Sequence, residues 1–194
     1  MIGMIQVYTG NGKGKTTAAI GLSVRALGAG LRVMFLQFMK VKGSSEHRIL
    51  EEFTPRLVLK TVGMPFFISP EGVLPAEEKK SLRHNVVVFP YGNPPADYLA
   101  QINEGLDEAA EALSGGRYDL VVLDEINVAL HFGLVSWERL AAILDSRAES
   151  TEVVLTGRGA PQELIDKADL VTEMKEVRHY YRTRGLGARK GIEY

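Results

Sequence analysis

A glycine-rich turn between an apolar segment and a helical segment constrains this chain more than any other feature. The turn and the start of the helix consist of Gly10, Asn11, Gly12, Lys13, Gly14, Lys15, Thr16 and Thr17. Glycines at this density let consecutive backbone N–H groups converge on one anion, and the N-terminus of the following helix adds its positive dipole end. Lys15 contributes a charge, and Thr16 contributes a hydroxyl for a phosphate-bound magnesium ion. The pattern predicts a nucleoside triphosphate site.

The loop is a variant of the usual G-x-x-x-x-G-K-S/T pattern. That pattern requires glycine at position 9, where this chain has Thr9, with Gly10 one residue later. A glycine-rich hairpin that binds nothing is the alternative interpretation. The apolar strand before the loop, the alanine- and leucine-rich helix after it and the neighbouring lysines favour phosphate binding.

Composition is typical of a globular α/β protein. Of 194 residues, 45% are hydrophobic, and the formal net charge is −1, so no global basic field favours nucleic acid or a membrane surface. Cysteine is absent, which excludes disulfides and thiolate metal sites and favours a cytoplasmic protein. The sequence has neither a signal-like leader nor an apolar run near the ~18 residues of a membrane span. We expect one nucleotide-binding domain over residues 1–194.

Apolar runs and helical patterns alternate along the chain. They predict a mostly parallel sheet flanked by helices, a P-loop NTPase-like (RecA-like) α/β fold. We expect strands at 5–9, 31–38, 56–62, 118–125, 152–156 and 169–174. We expect helices at 16–28, 46–53 and 96–114, one that starts at 136 and one opened by Pro161. Between 63 and 95 the pattern fails, with an apolar turn at 63–68 and a strand-like run at 86–90. Such a segment is typical of a lid or binding loop.

A strand that ends in two carboxylates is the second diagnostic stretch. The apolar run at 120–123 leads directly to Asp124 and Glu125. In proteins with a phosphate-binding loop, acids at such a place lie beside the magnesium ion or the attacking group. We therefore expect Thr16, Asp124 and Glu125 to bind Mg²⁺ or Mn²⁺. Arg158 follows another strand between two glycines and is expected to reach a phosphate at the same edge.

The scaffold alone does not decide the reaction. A small-molecule kinase needs a base or positioning group for an acceptor hydroxyl, and an ATPase motor usually needs a partner surface or an arginine supplied in trans. Neither feature is unambiguous in this chain. A non-catalytic, nucleotide-dependent binding module is a third interpretation.

Four stretches together resemble the ATP:corrinoid adenosyltransferases of cobalamin biosynthesis and salvage. They are residues 9–19, 121–125, 155–159 and 190–194, which occur in the family's order and span nearly the whole chain. The resemblance implies transfer of the 5′-deoxyadenosyl group of ATP to the cobalt of a reduced Co(I) corrinoid, with triphosphate as the leaving group. It also implies an external reductant, such as a flavoprotein, and a homodimer.

This resemblance explains why no general base is evident, since a Co(I) nucleophile carries no proton to remove. The protein instead has to neutralise charge on the departing triphosphate. We expect Lys15, Asp124 and Glu125 to take part in catalysis in this way. Lys13 and Arg158 are expected to add to the binding of the triphosphate.

The chain departs from its relatives where the corrinoid is expected to bind. The family places an aromatic pair, typically Phe and Trp, after the glycine that matches Gly63, and this chain has Met64 and Phe66 there. In the family such apolar residues displace the lower axial ligand of Co(II), so that the reductant can produce Co(I). We expect Met64 and Phe66 to contact the corrinoid within a binding loop at 63–95, although burial in the core is the alternative. Some relatives carry an N-terminal helix that covers the site, and we expect this chain to have no such helix.

Overall fold

A six-stranded parallel sheet with helices on both faces forms the framework of the protein. The computed structural model describes residues 2–73 and 86–194. Its strands are β1 (Ile5–Thr9), β2 (Val33–Phe38), β3 (Leu57–Val62), β4 (Phe67–Pro70), β5 (Val86–Phe89), β6 (Leu120–Asp124), β7 (Glu152–Thr156) and β8 (Leu170–Glu173). Its helices are α1 (Lys15–Gly28), α2 (Ser45–Glu51), α3 (Ala96–Ser114), α4 (Ile126–His131), α5 (Trp137–Asp145), α6 (Gln162–Lys167) and α7 (Tyr180–Arg184). The predicted α/β class with a parallel sheet is confirmed.

The strand order in the large sheet is β3-β2-β6-β7-β1-β8, and every neighbouring pair is parallel. Strands β2 and β6 are buried at every residue, as expected for near-continuous apolar strands covered on both faces. This order brings the carboxyl ends of β2, β6, β7 and β1 together at one edge. Ligands bind at this edge in open α/β sheets.

Two apolar layers, one on each face of the sheet, form the core. In β2, Met34 and Leu36 belong to one layer with Ile102 and Leu106 of α3, whereas Phe35 belongs to the other layer. That second layer also contains α1 and α2 residues such as Ala19 and Leu50. Alternate residues of a strand point to opposite faces, so one apolar strand contributes to both layers.

Most predicted elements occur within about two residues of their expected bounds. The apolar turn expected at 63–68 is wrong in its last two residues, because Phe67 and Ile68 begin β4, which pairs in parallel with β5 in a separate two-stranded sheet. The partner strand lies beyond residue 85, so local pattern gave no sign of the pairing. Helices α4 and α7 were not predicted. Residues 74–85 of the predicted 63–95 loop lie outside the described residues.

None of the helices within the described ranges is long and apolar enough to cross a membrane.

Candidate phosphate- and metal-binding site

The glycine-rich loop is closed by contacts with the chain that follows β8. Gly12 N donates to the carbonyl of Met174 at 2.6 Å, and Met174 N donates to Thr9 O at 2.8 Å. Gly10 has a φ of 94°, and a Cβ there would lie 2.4 Å from the Met174 carbonyl oxygen. Only glycine meets both conditions, because other residues rarely adopt this conformation and would clash. The loop conformation therefore depends on glycine at position 10.

Thr9 occupies the position at which the usual pattern has glycine. It is the last residue of β1 and is 8% exposed. Its hydroxyl accepts a hydrogen bond from Ala160 N at 3.3 Å, which joins the loop to the segment between β7 and α6. Thr9, which replaces the usual glycine, thus makes a side-chain hydrogen bond that glycine could not make.

Lys15 lies inside the loop at the first position of α1. Its side-chain Nζ donates to the carbonyls of Gly10 and Gly12 at 2.7 and 2.8 Å, and the residue is only 9% exposed. Burial lowers the pKa of Lys15, and the nearby Glu125 carboxylate opposes that effect. An ammonium has three N–H donors. The two loop carbonyls take two of them and hold the charge at the centre of the loop.

Lys13 has a different environment. Its side chain is 43% exposed, and its Nζ donates to the carbonyl of Ile192 at 2.9 Å and lies 3.8 Å from the Glu193 carboxylate. Glu193 also contacts Tyr180 and Arg189. The outer side of the loop therefore meets the C-terminal segment, residues 189–194, and this neighbour was not apparent from the local pattern around Lys13.

Asp124 is the last residue of β6 and is fully buried. Both of its carboxylate oxygens accept hydrogen bonds: Oδ1 from the Thr156 hydroxyl at 2.6 Å, and Oδ2 from Gln37 Nε2 at 2.9 Å. Gln37 lies near the carboxyl end of β2, which neighbours β6 on one side. Thr156 is the last residue of β7, which neighbours β6 on the other side. The strand order thus supplies a hydrogen-bond donor from each side. Sequence reasoning did not identify Thr156.

Glu125 follows directly and adopts a left-handed conformation, with a φ of 61°. Its N–H donates to the Thr156 hydroxyl at 3.1 Å. Burial raises the pKa of Glu125 to about 7, the Asp124 carboxylate adds to the rise, and Lys15 and Arg158 oppose it. A left-handed non-glycine residue is uncommon, and such residues cluster at functional sites.

The space beside Glu125 depends on Gly157. A Cβ at Gly157 would lie 3.2 Å from Oε2 of Glu125 and 3.0 Å from Cβ of Asn127, and the φ of Gly157 is 132°. Glycine therefore leaves the Glu125 carboxylate uncrowded. The glycine that precedes Arg158 has a packing role here, which the sequence pattern alone did not reveal.

The structure brings Lys15, Asp124, Glu125 and Arg158 close enough for their charges to interact. Thr16 is half-buried, whereas Thr17 and Asn11 are exposed. Asn11 lines a surface cavity of about 310 Å³ together with charged residues at the end of β8 and in the segment after it. Within the described ranges, no cluster of three or more His, Asp or Glu residues suits a metal ion. A pair of carboxylates still suits Mg²⁺, which is usually bound by one or two carboxylates plus substrate phosphates.

Met64 and Phe66 have apolar surroundings. Both are half-buried and pack against the apolar layer that contains α3. The Phe66 ring lies 5.9 Å from the Tyr98 ring, centroid to centroid. Phe67, the next residue, is 55% exposed. Of the two neighbouring phenylalanines, Phe66 faces inward and Phe67 faces solvent.

Gly63 connects this apolar segment to the carboxyl edge of the sheet. A Cβ at Gly63 would lie 2.6 Å from Lys40 N, just beyond the end of β2. Lys40 N donates to Val62 O at 3.2 Å. The charge of Lys40 is also among those that lower the pKa of Glu125. The segment after Gly63 therefore starts beside the charged cluster.

Comparison with known proteins gives a consistent result over the full length. Residues 1–194 match the model of a family described as ATP:corrinoid adenosyltransferase BtuR/CobO/CobP. A corrinoid adenosyltransferase of Pseudomonas aeruginosa is 33% identical, and the match covers 99% of this chain and 84% of the relative. Corrinoid adenosyltransferases of Escherichia coli K12 and Salmonella typhimurium are each 31% identical, with 99% of this chain and 86% of each relative covered.

Proposed function

The chain belongs to the ATP:corrinoid adenosyltransferase family, and we propose that it transfers the 5′-deoxyadenosyl group of ATP to the cobalt of a reduced corrinoid and releases triphosphate. The carrying observation is the full-length family match, together with a buried lysine and two carboxylates at one edge of the sheet. In this reaction the electron pair of Co(I) forms the bond from cobalt to C5′. The bond from C5′ to oxygen breaks, and its electrons leave with the triphosphate.

The glycine-rich loop is the proposed binding site of the triphosphate. Lys15 has two N–H groups on loop carbonyls, and its remaining donor serves a phosphate oxygen. Gly10, Gly12 and Gly14 let the backbone N–H groups of the loop approach the phosphates, with Asn11, Thr16 and Thr17 beside them. Arg158 is exposed at the same edge, where its guanidinium adds a second cationic contact. Together these groups stabilise the charge that develops on the leaving triphosphate.

The donor set fits a hard divalent cation. Asp124 and Glu125 supply carboxylate oxygens and Thr16 supplies a hydroxyl, which are ligand types that Mg²⁺ and Mn²⁺ prefer. The raised pKa of Glu125 reflects burial and the adjacent Asp124 carboxylate, two effects that a cation would offset. Thr16, Asp124 and Glu125 would hold the ion. When bound, it neutralises charge on the triphosphate.

The segment after Gly63 is the proposed corrinoid contact. The Phe66 ring offers no donor atom to cobalt, and Met64 packs beside it against the apolar layer, so an apolar surface there disfavours a lower axial ligand. The half-buried position of Phe66 against Tyr98 supports a fixed ring, and the start of the segment beside Lys40 supports its closeness to the nucleotide. An external reductant such as a flavoprotein, a homodimer and a cytoplasmic location complete the proposal.

Product analysis by phosphorus NMR tests the proposed reaction. With ATP, Mg²⁺ and a chemically reduced corrinoid, the expected product is intact triphosphate in a one-to-one ratio with the adenosylated corrinoid. Omitting the corrinoid is the control and should leave ATP unchanged. Formation of ADP and phosphate coupled to turnover would overturn the proposal in favour of a kinase or an ATPase.

A further inference from the structure

A series of buried hydrogen bonds runs from the loop between β2 and α2 to Asp124. Nε2 of His47 lies 2.6 Å from Oε1 of Gln37, and Nε2 of Gln37 donates to Oδ2 of Asp124 at 2.9 Å. Gln37 and Asp124 are fully buried, and His47 is 4% exposed. Hydrogen bonds at such depth are costly to break, because a buried polar group left unpaired loses its solvation without compensation.

The bond from Gly43 determines which atom donates and which accepts in each of these hydrogen bonds. Gly43 N donates to Nδ1 of His47 at 3.1 Å, so Nδ1 is an acceptor and the ring proton resides on Nε2. Nε2 then donates to the amide oxygen of Gln37. Burial lowers the pKa of His47, which favours the neutral ring that this arrangement requires.

His47 therefore selects one orientation of the Gln37 amide. With the amide oxygen accepting from His47, the amide nitrogen faces Asp124. A reversed amide would direct its oxygen at the Asp124 carboxylate, and two acceptors would then repel each other. On the other side, the Thr156 hydroxyl donates to Oδ1 of Asp124 at 2.6 Å. The carboxylate is thus held through both of its oxygens.

We propose that Gln37 and His47 are positioning residues that hold the Asp124 carboxylate in one orientation for metal binding. The inference rests on the proposed function, because only there does Asp124 help to hold the metal ion. His47 acts through Gln37, and its bond to Gly43 connects the β2–α2 loop to the carboxylate. The same loop carries Lys40, which pairs with Glu46 at 2.9 Å.

Binding of Mn²⁺ in the presence of ATP and without corrinoid is the direct test. Electron paramagnetic resonance of free Mn²⁺ measures the affinity without any turnover. His47→Phe removes the donor to Gln37 and lets the Gln37 amide reverse. It should weaken Mn²⁺ binding about tenfold, the loss that is usual when the hydrogen-bond partner of a metal ligand, here Gln37, no longer supports it. His47→Gln keeps an N–H donor and should restore most of the affinity.

Gln37→Met is the second variant, and it removes the bond to Asp124 while keeping similar volume. The double variant combines His47→Phe with Gln37→Met. If His47 acts through Gln37, this double variant should bind Mn²⁺ as weakly as Gln37→Met alone, a non-additive result. Gln37→Met also carries the test if His47→Phe does not fold.

Thr151→Val is the matched control. Thr151 is fully buried and donates to Tyr118 O at 3.0 Å, before β7 and so at the opposite edge of the sheet from Asp124. This variant loses one buried hydrogen bond and should lose stability, but its Mn²⁺ affinity should equal that of the wild type. Each variant is checked by thermal unfolding.

Wild-type Mn²⁺ affinity in both His47→Phe and Gln37→Met would overturn the inference. Additive losses in the double variant would overturn the action of His47 through Gln37. The proposed function is tested separately. Unchanged Mn²⁺ affinity in Asp124→Asn would show that this carboxylate does not bind the metal ion. Formation of ADP in the product assay would contradict the proposed adenosyl transfer.

Discussion

The glycine-rich loop and the apolar segment after Gly63 lie near one edge of the sheet but are held in different ways. The loop is fixed by backbone hydrogen bonds to Met174, by Lys15 on two carbonyls and by a glycine that no other residue can replace. The apolar segment is fixed by packing, with Phe66 on Tyr98 and β4 on β5. The loop is held by directional hydrogen bonds, some within the loop and some to Met174, whereas the apolar segment is held by non-directional packing. Substitutions should therefore act on chemistry in the loop and on substrate contact in the segment.

The largest expected effect is on the loop. Lys15→Ala should lower kcat/KM about 100-fold or more, equivalent to ~3 kcal/mol, because the buried charge that we propose contacts the phosphates is lost. Lys13→Ala is the matched control, since Lys13 is largely exposed and contacts the C-terminal segment, and it should lose several-fold less. Steady-state kinetics at saturating corrinoid measures both. Equal losses would show that the two lysines do not differ as their environments indicate.

The next effect concerns the carboxylates. Glu125→Gln and Asp124→Asn should each raise the Mg²⁺ concentration for half-maximal turnover by about tenfold, because a charged ligand of a hard cation is lost. A Mg²⁺ titration at fixed ATP measures this change. Asp119→Asn, at the amino end of β6, serves as a control and should leave the titration unchanged. An unchanged requirement in both carboxylate variants would remove the pair from the metal site.

The raised pKa of Glu125 predicts a pH dependence of stability. Its value of about 7 in the folded protein exceeds the ordinary 4.5, so the metal-free native state holds this proton more tightly than the unfolded chain does. The contribution of this group to the free energy of unfolding is complete below about pH 4.5 and declines as the pH rises through 7. Glu125→Gln should flatten that decline in denaturant titrations of metal-free protein. The same decline in wild type and variant would contradict the assignment.

The smallest effect on nucleotide chemistry is expected in the packed segment. Phe66→Ala should leave ATP affinity unchanged but slow reduction of bound Co(II) corrinoid, because water can then reach the lower axial position. Truncating this half-buried ring should also lower the free energy of unfolding by about 2 kcal/mol. Phe67→Ala is the control, since its exposed ring should affect stability little.

Electron paramagnetic resonance of the bound Co(II) corrinoid separates the two roles of Phe66. An unchanged four-coordinate signal in Phe66→Ala would restrict Phe66 to packing. A loss of that signal in Phe67→Ala, with Phe66→Ala unaffected, would move the corrinoid contact to the exposed ring.

Local patterns in the sequence were sufficient for the glycine-rich turn, for most strands and helices and for the position of the two acids at the carboxyl end of β6. These features depend on residues close together in the chain: glycine density, apolar runs, a helix such as α3 that ends before Gly115 and Gly116, and the hydroxyl of Ser136 that caps α5. The same patterns missed β4, because its partner β5 begins 16 residues after β4 ends. A four-residue strand has too few residues to show a period of its own.

The sequence by itself determined the glycine-rich turn before a helix, a feature that predicts an anion site, because glycine density and helix pattern are local properties of the chain. Only the tertiary structure decided what surrounds the carboxylates. Gln37 and Asp124 are 87 residues apart, and they meet because β2 lies beside β6 in the sheet. Likewise, Phe66 faces inward and Phe67 outward only because α3 covers that side. Strand order and burial arise from packing of the whole chain, which no local period encodes.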